Sequence, residues 1–339
     1  MQRRLAGSDV VVLEVVALPG EIATIAVSGR DVVAGRRVLG EESIAALVRA
    51  ASGEQPLPAL EALYDAIVRP VDAALAGRSR LVVVADPVLE GVPFAALFDR
   101  GQRRYLVERT AVAIAPSAAA LMRGASPHRA SSAVVVGLPS GTVAATAALP
   151  QSEVEVREIG RLYAHAVSIP PGEATWMAFT RAAASNGVDV VHIAGHAQRQ
   201  QGSGDAALLF ADAPVSWKSI GAAPRMDVDV VVLAACETLR RPLSENTRAL
   251  TLAEAFATAG ARAVAGTLVP IADVDARELF RSFHRRLVSG DDAIDALRRV
   301  QLDAIHTGTG RPGFPPWAAL SVLTTRIPSS GTLRGVDHE

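Results

Sequence analysis

Two side chains in this sequence have both the chemical type and the setting for covalent chemistry: His196 and Cys236. His196 follows the run Val188-Asp-Val-Val-His-Ile-Ala194, and Cys236 follows Val228-Asp-Val-Val-Val-Leu-Ala234. Each run reads as a buried strand of a parallel sheet, and chemistry gathers beyond the carboxyl ends of such strands. If the two strands are neighbours, imidazole and thiol emerge side by side. A thiol at its ordinary pKa of about 8.5 is only a few per cent thiolate at neutral pH. An adjacent imidazole takes its proton and then protonates a leaving amine. Backbone N–H groups at the strand-to-loop turns hold the developing oxyanion. Taken singly, Cys236 reads as a small buried hydrophobe and His196 as a hydrogen-bonded turn residue. Taken as a pair on matching strand ends, they read as a dyad.

Other chemistries are excluded or disfavoured. Cys236 is the only cysteine, so neither an intramolecular disulfide nor a multi-cysteine metal site is possible, and a reducing, cytoplasmic setting fits. Lys218 is the only lysine, and Trp217-Lys218-Ser219 lacks the glycines of a phosphate-binding loop. Gly308-Thr-Gly310-Arg-Pro-Gly313 spells a dinucleotide fingerprint, but it follows a helix and runs into Phe-Pro-Pro-Trp, the wrong context. No G-x-S-x-G elbow occurs. His192 and His196 are four apart on a β-branched strand without the zinc-site glutamate, so His192 reads as a hydrogen-bonded core residue and no metal or cofactor is expected. Lys and Arg total 34 against 35 Asp and Glu, a net charge of -1, so no direct nucleic-acid binding is expected. The amino terminus leads into an alternating strand and not a secretion signal. The uncharged stretch from Ala130 to Ser152 is broken by Gly137, Pro139, Gly141 and Pro150, so it reads as strand plus loop and no membrane span is expected.

The elements that must carry these residues alternate along the chain. Its 339 residues allow about two compact units. Val10–Ala17, Glu21–Ser28 and Asp31–Leu39, separated by Pro19-Gly20 and Gly29-Arg30, predict an antiparallel meander. A short helix (Glu41–Ala51) and a longer one with Leu60, Leu63, Ile67 and Val71 on one face follow. Strands are then predicted at Arg80–Ala85, Ala133–Gly137, Val188–Ala194, Ala207–Phe210, Val228–Ala234, Ala261–Thr267 and Trp317–Leu323. Helices fall at Glu153–Tyr163, Thr175–Ala184, Leu250–Ala259, Asp275–Val288 and Asp291–His306. The pattern is α/β, with a mostly parallel central sheet covered on both faces. The short strand at 207–210 is expected to make a small hairpin or edge excursion. The best domain cut lies at residues 124–131, and Ser329–Glu339 reads as a flexible tail.

His192-Ile-Ala-Gly-His196-Ala and Val230-Val-Val-Leu-Ala-Ala-Cys236-Glu-Thr238 resemble the CHAT family of caspase-like cysteine peptidases, relatives of caspases and separases. Leu252–Thr267 resembles the family's helix and strand after the cysteine, and Asp275–Gln301 its closing helices. Upstream, Val83–Ala96 with its Pro-Phe step, Tyr105-Leu-Val-Glu-Arg and Ala115–Leu121 fit too. The likeness runs from about Val10 to Leu323.

The resemblance implies a caspase-like three-layer sandwich. Residues 1–127 would be a non-catalytic caspase-like half containing the meander, and 128–328 the catalytic half. It implies a cysteine endopeptidase with His196 as base and Cys236 as nucleophile, the N–H groups of Ala197 and Cys236 lining the oxyanion hole. Related peptidases place an acid in the pocket for the side chain before the scissile bond, and Asp273 sits at the matching place. A carboxylate there favours Arg or Lys. Asp273 also reads as a helix cap, but Asp275, with Glu278 three residues on, is the better one. Ala197, Leu239 and Val269 depart from the family's glycine, glycine and tryptophan. These departures motivate an alternative, a weak or inactive caspase-like scaffold. The partners implied are a protein or peptide substrate and a regulator, either a partner protein or the helical-repeat sensor region that many members carry ahead of this unit. The chain begins close to the domain edge, so such a region is expected upstream of Met1.

Overall fold

β-Branched and aliphatic runs punctuated by Pro19-Gly20 and Gly29-Arg30 fold as the expected meander: Val10–Leu18 (β1), Glu21–Val27 (β2) and Val32–Val38 (β3). The remaining strands of the main sheet are Arg80–Ala85 (β4), Ala111–Ile114 (β5), Ser132–Gly137 (β6), His165–Ile169 (β7), Val190–Ala194 (β8), Val230–Ala234 (β9), Ala263–Thr267 (β10) and Leu320–Thr324 (β11). This computed structural model describes residues 1–122, 130–141, 146–199, 205–241, 249–308 and 313–328. The strands lie in the order β3-β2-β1-β4-β5-β11-β10-β9-β8-β6-β7. Beyond the meander every pairing is parallel except that of β10 with β11. β11 meets β5 at Leu323 and Ile114, which makes one continuous sheet.

The principal helices are Glu41–Ala50 (α1), Leu57–Leu63 (α2), Pro150–Gly160 (α3), Trp176–Ala183 (α4), Leu252–Thr258 (α5), Asp273–Val288 (α6) and Ala293–His306 (α7). A strand sends alternate residues to opposite faces. Val135, Val190 and Val232 pack with Val156 and Ile159 of α3, Phe280 and Phe283 of α6 and Leu297 of α7. Val134, Ile193, Val231 and Val264 pack on the other face with Phe179 of α4 and Phe256 of α5. Burying each such side chain is worth about 1.5–3 kcal/mol, and the two apolar layers fix which helix covers which face. The architecture is the caspase-like three-layer sandwich expected from the sequence.

Three local readings change. The longer helix expected through Val71 is helical only over α2. It continues as a π-turn at Tyr64–Val68 and a 3-10 segment at Arg69–Leu75, because Pro70 has no N–H to donate. β5 and β7 escape the sequence pattern: β5 is four residues long, and β7 buries only Ile169. The excursion is a separate three-stranded sheet, in which Ala206–Leu209 pairs with Ala197–Arg199 and Pro214–Ser216. β8 and β9 are therefore direct neighbours. The boundary between residues 127 and 128, the tail from Ser329 and part of the Gly308–Gly313 segment lie outside the described residues. No described helix is long and apolar enough to cross a membrane.

Candidate active site

The register of β8 on β9 sets the site. Val190 pairs with Val230 and Ala194 with Ala234, so His196 and Cys236 each stand two residues beyond the same paired position. Adjacent strands are about 4.8 Å apart, so the two side chains leave the sheet level with one another. Gly195 N–H donates to Ala234 O at 3.1 Å, extending the contact one step past the strands. Gly195 has φ +154°, and a Cβ there would lie 2.5 Å from Leu138 Cβ, so only glycine brings β8 to His196 along this path. His196 and Cys236 are half-buried and line one small cavity of about 60 Å³ with Leu149, Ile271 and Phe280. His196 Nε2 lies 2.7 Å from Ala147 O. A carbonyl only accepts, so the proton is assigned to Nε2, and Nδ1 keeps the lone pair a general base needs.

The turn that presents Cys236 is strained and then fastened. Glu237 has φ +54°, a left-handed conformation that costs a non-glycine residue about 1–2 kcal/mol. Thr267, at the end of β10, offsets this. Its hydroxyl accepts from Glu237 N–H at 3.0 Å and donates to Ala235 O at 2.8 Å, spanning Cys236. Thr238 is fully buried and accepts from Thr267 N–H at 3.2 Å through its own hydroxyl. Gly266 makes room for it, since a Cβ there would lie 2.4 Å from Thr238 Oγ1. Glu237 and Thr238, assigned no chemistry from sequence, are thus the frame of the nucleophile turn. Burial pushes the Cys236 thiol up in pKa and the Glu237 carboxylate pushes it further, while the Ile271 N–H on the sulfur pulls the other way. Glu237 is itself paired with Arg240 at 2.7 Å and faces Arg199 at 3.8 Å.

Asp273 lines the same cavity. It is the first residue of α6, and its Oδ2 accepts from Gln151 N–H at 2.8 Å, at the amino-terminal turn of α3. It therefore caps a neighbouring helix and not its own. The expectation that Asp275 caps α6 is corrected: the helix begins at Asp273 behind Ala272 without a side-chain cap, so Asp275 falls inside the first turn. Glu155 also lines the cavity, one turn beyond Gln151 on α3, and is only 2 % exposed. Its Oε1 lies 3.2 Å from His192 Nε2, off the line a good hydrogen bond requires. His192, fully buried on β8 as expected, reaches His284 Nε2 through Nδ1 at 3.1 Å. His284 Nδ1 in turn lies 2.6 Å from Tyr163 Oη. Among the described residues, no group of three or more His, Cys, Asp or Glu side chains is arranged to hold a metal.

The CHAT domain family matches residues 57–324. The chain belongs to the CHAT family. CHAT members are caspase-like peptidases, and solved structures share the fold. Separase of Saccharomyces cerevisiae, in complex with securin, superposes with TM-scores of 0.67 and 0.60 in two structures. Sequence identities are 10% and 9%, covering 95% of this chain each time. At that identity the likeness shows the fold. This CHAT chain spans 30% and 31% of the separase chains it matches. Gingipain R, an Arg-specific cysteine proteinase, aligns over 84% of this chain and 74% of its own at 11% identity with a TM-score of 0.49. No curated protein is significantly similar in sequence.

His196 and Cys236 are legible in the sequence as a pair beyond matching strand ends, but Ala147, Thr267, Ile271 and Glu155 are not. Ala147 acts through a carbonyl and Ile271 through an N–H, which every residue has. Thr267 was visible only as the end of a strand, and Glu155 as one acid in a helix.

Proposed function

We propose that this CHAT chain is a cysteine endopeptidase that cleaves a protein substrate after a basic residue. The supporting observation is the level placement of His196 and Cys236 beyond paired Ala194 and Ala234, on one cavity. With its pKa pushed up, the thiol stays protonated at neutral pH, so proton removal accompanies attack. His196 Nδ1 takes the thiol proton while sulfur bonds to the scissile carbonyl carbon. The N–H groups of Cys236 and Ala197 hold the oxyanion. The imidazolium, steadied by Ala147 O, then gives its proton to the leaving amine as the C–N bond breaks. Water attacks the thioester, losing a proton to His196. The C–S bond breaks and the proton returns to sulfur.

Charge supports a basic preference. Asp273 and Glu155 line the cavity, and no described lysine or arginine does. A cationic side chain would supply the missing countercharge, with Asp273 in the pocket. At about 60 Å³ the cavity has room for only a few waters, less than a long basic side chain occupies. In this reading a partner protein or an upstream sensor region controls access to the site; the separase neighbour was solved in complex with securin. In this reading residues 1–127 form a non-catalytic half, 128–328 carry the chemistry, and the protein works in the cytoplasm.

The test is cleavage of peptides ending in Arg, Lys or Asp before the scissile bond, by the native chain and by Cys236→Ala and His196→Ala. Cleavage after Arg or Lys that both variants abolish is expected. Unchanged cleavage by either variant overturns the dyad, and a preference for Asp overturns the pocket.

A further inference from the structure

Arg241 lies five residues after Cys236, and its guanidinium is a three-way tie. Nε donates to Glu90 Oε1 at 2.6 Å, Nη1 to Ala249 O at 2.6 Å and Nη2 to Glu254 Oε1 at 2.9 Å. These partners come from different parts of the chain. Ala249 is where the described chain resumes after residue 241. Glu254 belongs to α5 and closes a capping box with Thr251, whose N–H it accepts at 2.9 Å. Glu90 lies in the turn after β4, within residues 1–122 and 151 positions away in sequence. The anchored segment is the nucleophile's own. Leu239 N–H donates to Thr267 O at 3.1 Å, and Ala253 N–H to Thr238 O at 3.1 Å. One side chain thus joins residue 241 to Ala249 and Glu254 and ties them to the amino-terminal part of the molecule.

The chemistry calls for arginine. Three acceptors in three directions suit a planar fork of donors, and a lysine ammonium on one stem would not reach all three. Glu90 and Glu254 also repel each other across the cation. Removing Arg241 would leave two facing carboxylates, largely removed from water, and a carbonyl without its donor.

We propose that Glu90 and Arg241 are positioning residues through which the amino-terminal part of the chain sets the segment after Cys236 for reaction with a peptide. This rests on the reading of Cys236 as the nucleophile. It assigns residues 1–122 an indirect, positioning part in the chemistry of a site they do not line. The tie is acid-sensitive. Burial pushes the Glu90 carboxyl up in pKa, Glu254 on α5 and Asp86 on its own turn act in the same direction, and Arg241 opposes them.

The experiment uses the full chain with Glu90→Gln, Arg241→Lys and Arg241→Ala. Amide hydrogen exchange is followed over residues 236–241 and 249–254, with β9 and β10 as internal controls. Exchange in the two segments is expected to rise at least tenfold in Glu90→Gln and Arg241→Ala while the strands stay protected. Arg241→Lys should restore the melting temperature more than it restores the protection. Labelling of Cys236 by iodoacetamide should stay within about twofold. Labelling by an arginyl peptide chloromethyl ketone should fall at least tenfold, and on acidification it should fall more steeply in the native chain than in Glu90→Gln. Wild-type exchange in Glu90→Gln, or raised exchange with undiminished peptide labelling, overturns the proposal. If Arg241→Ala does not fold, Glu90→Gln decides. A native chain that iodoacetamide labels but no peptide reagent does overturns the peptidase reading, and exchange then decides the tie alone.

Discussion

His284 Nε2 stands 3.1 Å from His192 Nδ1, two fully buried imidazoles facing each other beneath the candidate site. Their neighbours set the proton order. Burial and His192 hold His284 well below the usual histidine pKa, so it is neutral, and burial pushes the Tyr163 phenol up, so it keeps its proton. Tyr163 O–H then donates to His284 Nδ1 and His284 Nε2–H donates to His192 Nδ1. His192 Nε2 is left 3.2 Å from Glu155 Oε1, off the line of a good hydrogen bond. The chain of bonds runs one way from Tyr163 to His192 and stops beside Glu155, which lines the cavity.

That order predicts acid sensitivity. A histidine whose folded pKa is depressed takes up a proton only when unfolded. Its contribution to stability is therefore intact above the unfolded value near 6.5 and is lost as pH falls below it. The cost approaches about 1.4 kcal/mol for each pH unit below that value. Urea unfolding of the native chain and of His284→Phe at pH 7.5, 6.0 and 5.0 measures this. His284→Phe should be less stable at pH 7.5 and lose less stability on acidification. Parallel pH curves would show that His284 is not the group responsible.

The thiol should respond to its neighbour's charge. Glu237 follows Cys236 and disfavours the thiolate, so Glu237→Gln should shift the alkylation-rate profile of Cys236 to lower pH. Faster alkylation by iodoacetamide at pH 7 follows, because more thiolate is present. The variant also frees Arg240 from its 2.7 Å pair, which acts in the same direction. A profile that stays put, or moves to higher pH, would mean that Glu237 is screened from the sulfur.

Thr267 offers a cleaner test of the turn. Thr267→Val keeps the shape of the side chain and removes the hydroxyl that joins Ala235 O to Glu237 N–H. Two backbone groups then lose their partner beside a left-handed residue. A loss of about 1–3 kcal/mol in unfolding free energy is expected, with slower labelling of Cys236 by peptide electrophiles. Thr267→Ser restores both bonds and should recover most of each loss. Serine and valine variants that behave alike would place the effect in packing and not in the hydroxyl.

These residues also mark how far the sequence could be read. Strand runs such as Val230–Ala234 carry their burial on their face, because β-branched and aliphatic residues without charge have one stable place in an α/β fold. The matching ends of two such runs then singled out His196 and Cys236 as a pair. Strand order did not follow from any local pattern: that β8 lies against β9 is a non-local fact, and the excursion at residues 206–209 left it open. β7 was invisible because an edge strand has one pairing and little burial. Glu237 gave no sign of φ +54°, a conformation a sequence announces with glycine or asparagine. The acids Glu155 and Glu90 were unremarkable until the fold placed one under the cavity and the other against Arg241.

Asp273 carries the specificity reading and can be changed with little disturbance. Its carboxylate accepts one backbone N–H from Gln151, a bond that the amide oxygen of Asp273→Asn retains. The substitution removes charge and little else. A charge-assisted hydrogen bond is worth about 1.5–3 kcal/mol, so kcat/KM for an arginine peptide should fall roughly 10- to 100-fold. A citrulline peptide, neutral but of nearly the same shape, isolates the charge. Native chain should prefer arginine to citrulline strongly, and Asp273→Asn should narrow that preference to a few-fold. Glu155→Gln, which leaves Asp273 charged, should weaken the preference less. If Asp273→Asn keeps the native ratio while Glu155→Gln abolishes it, the deeper acid is the one that reads the substrate. If neither variant moves the ratio, the carboxylates serve the helices they hold, and selectivity arises elsewhere in the cleft.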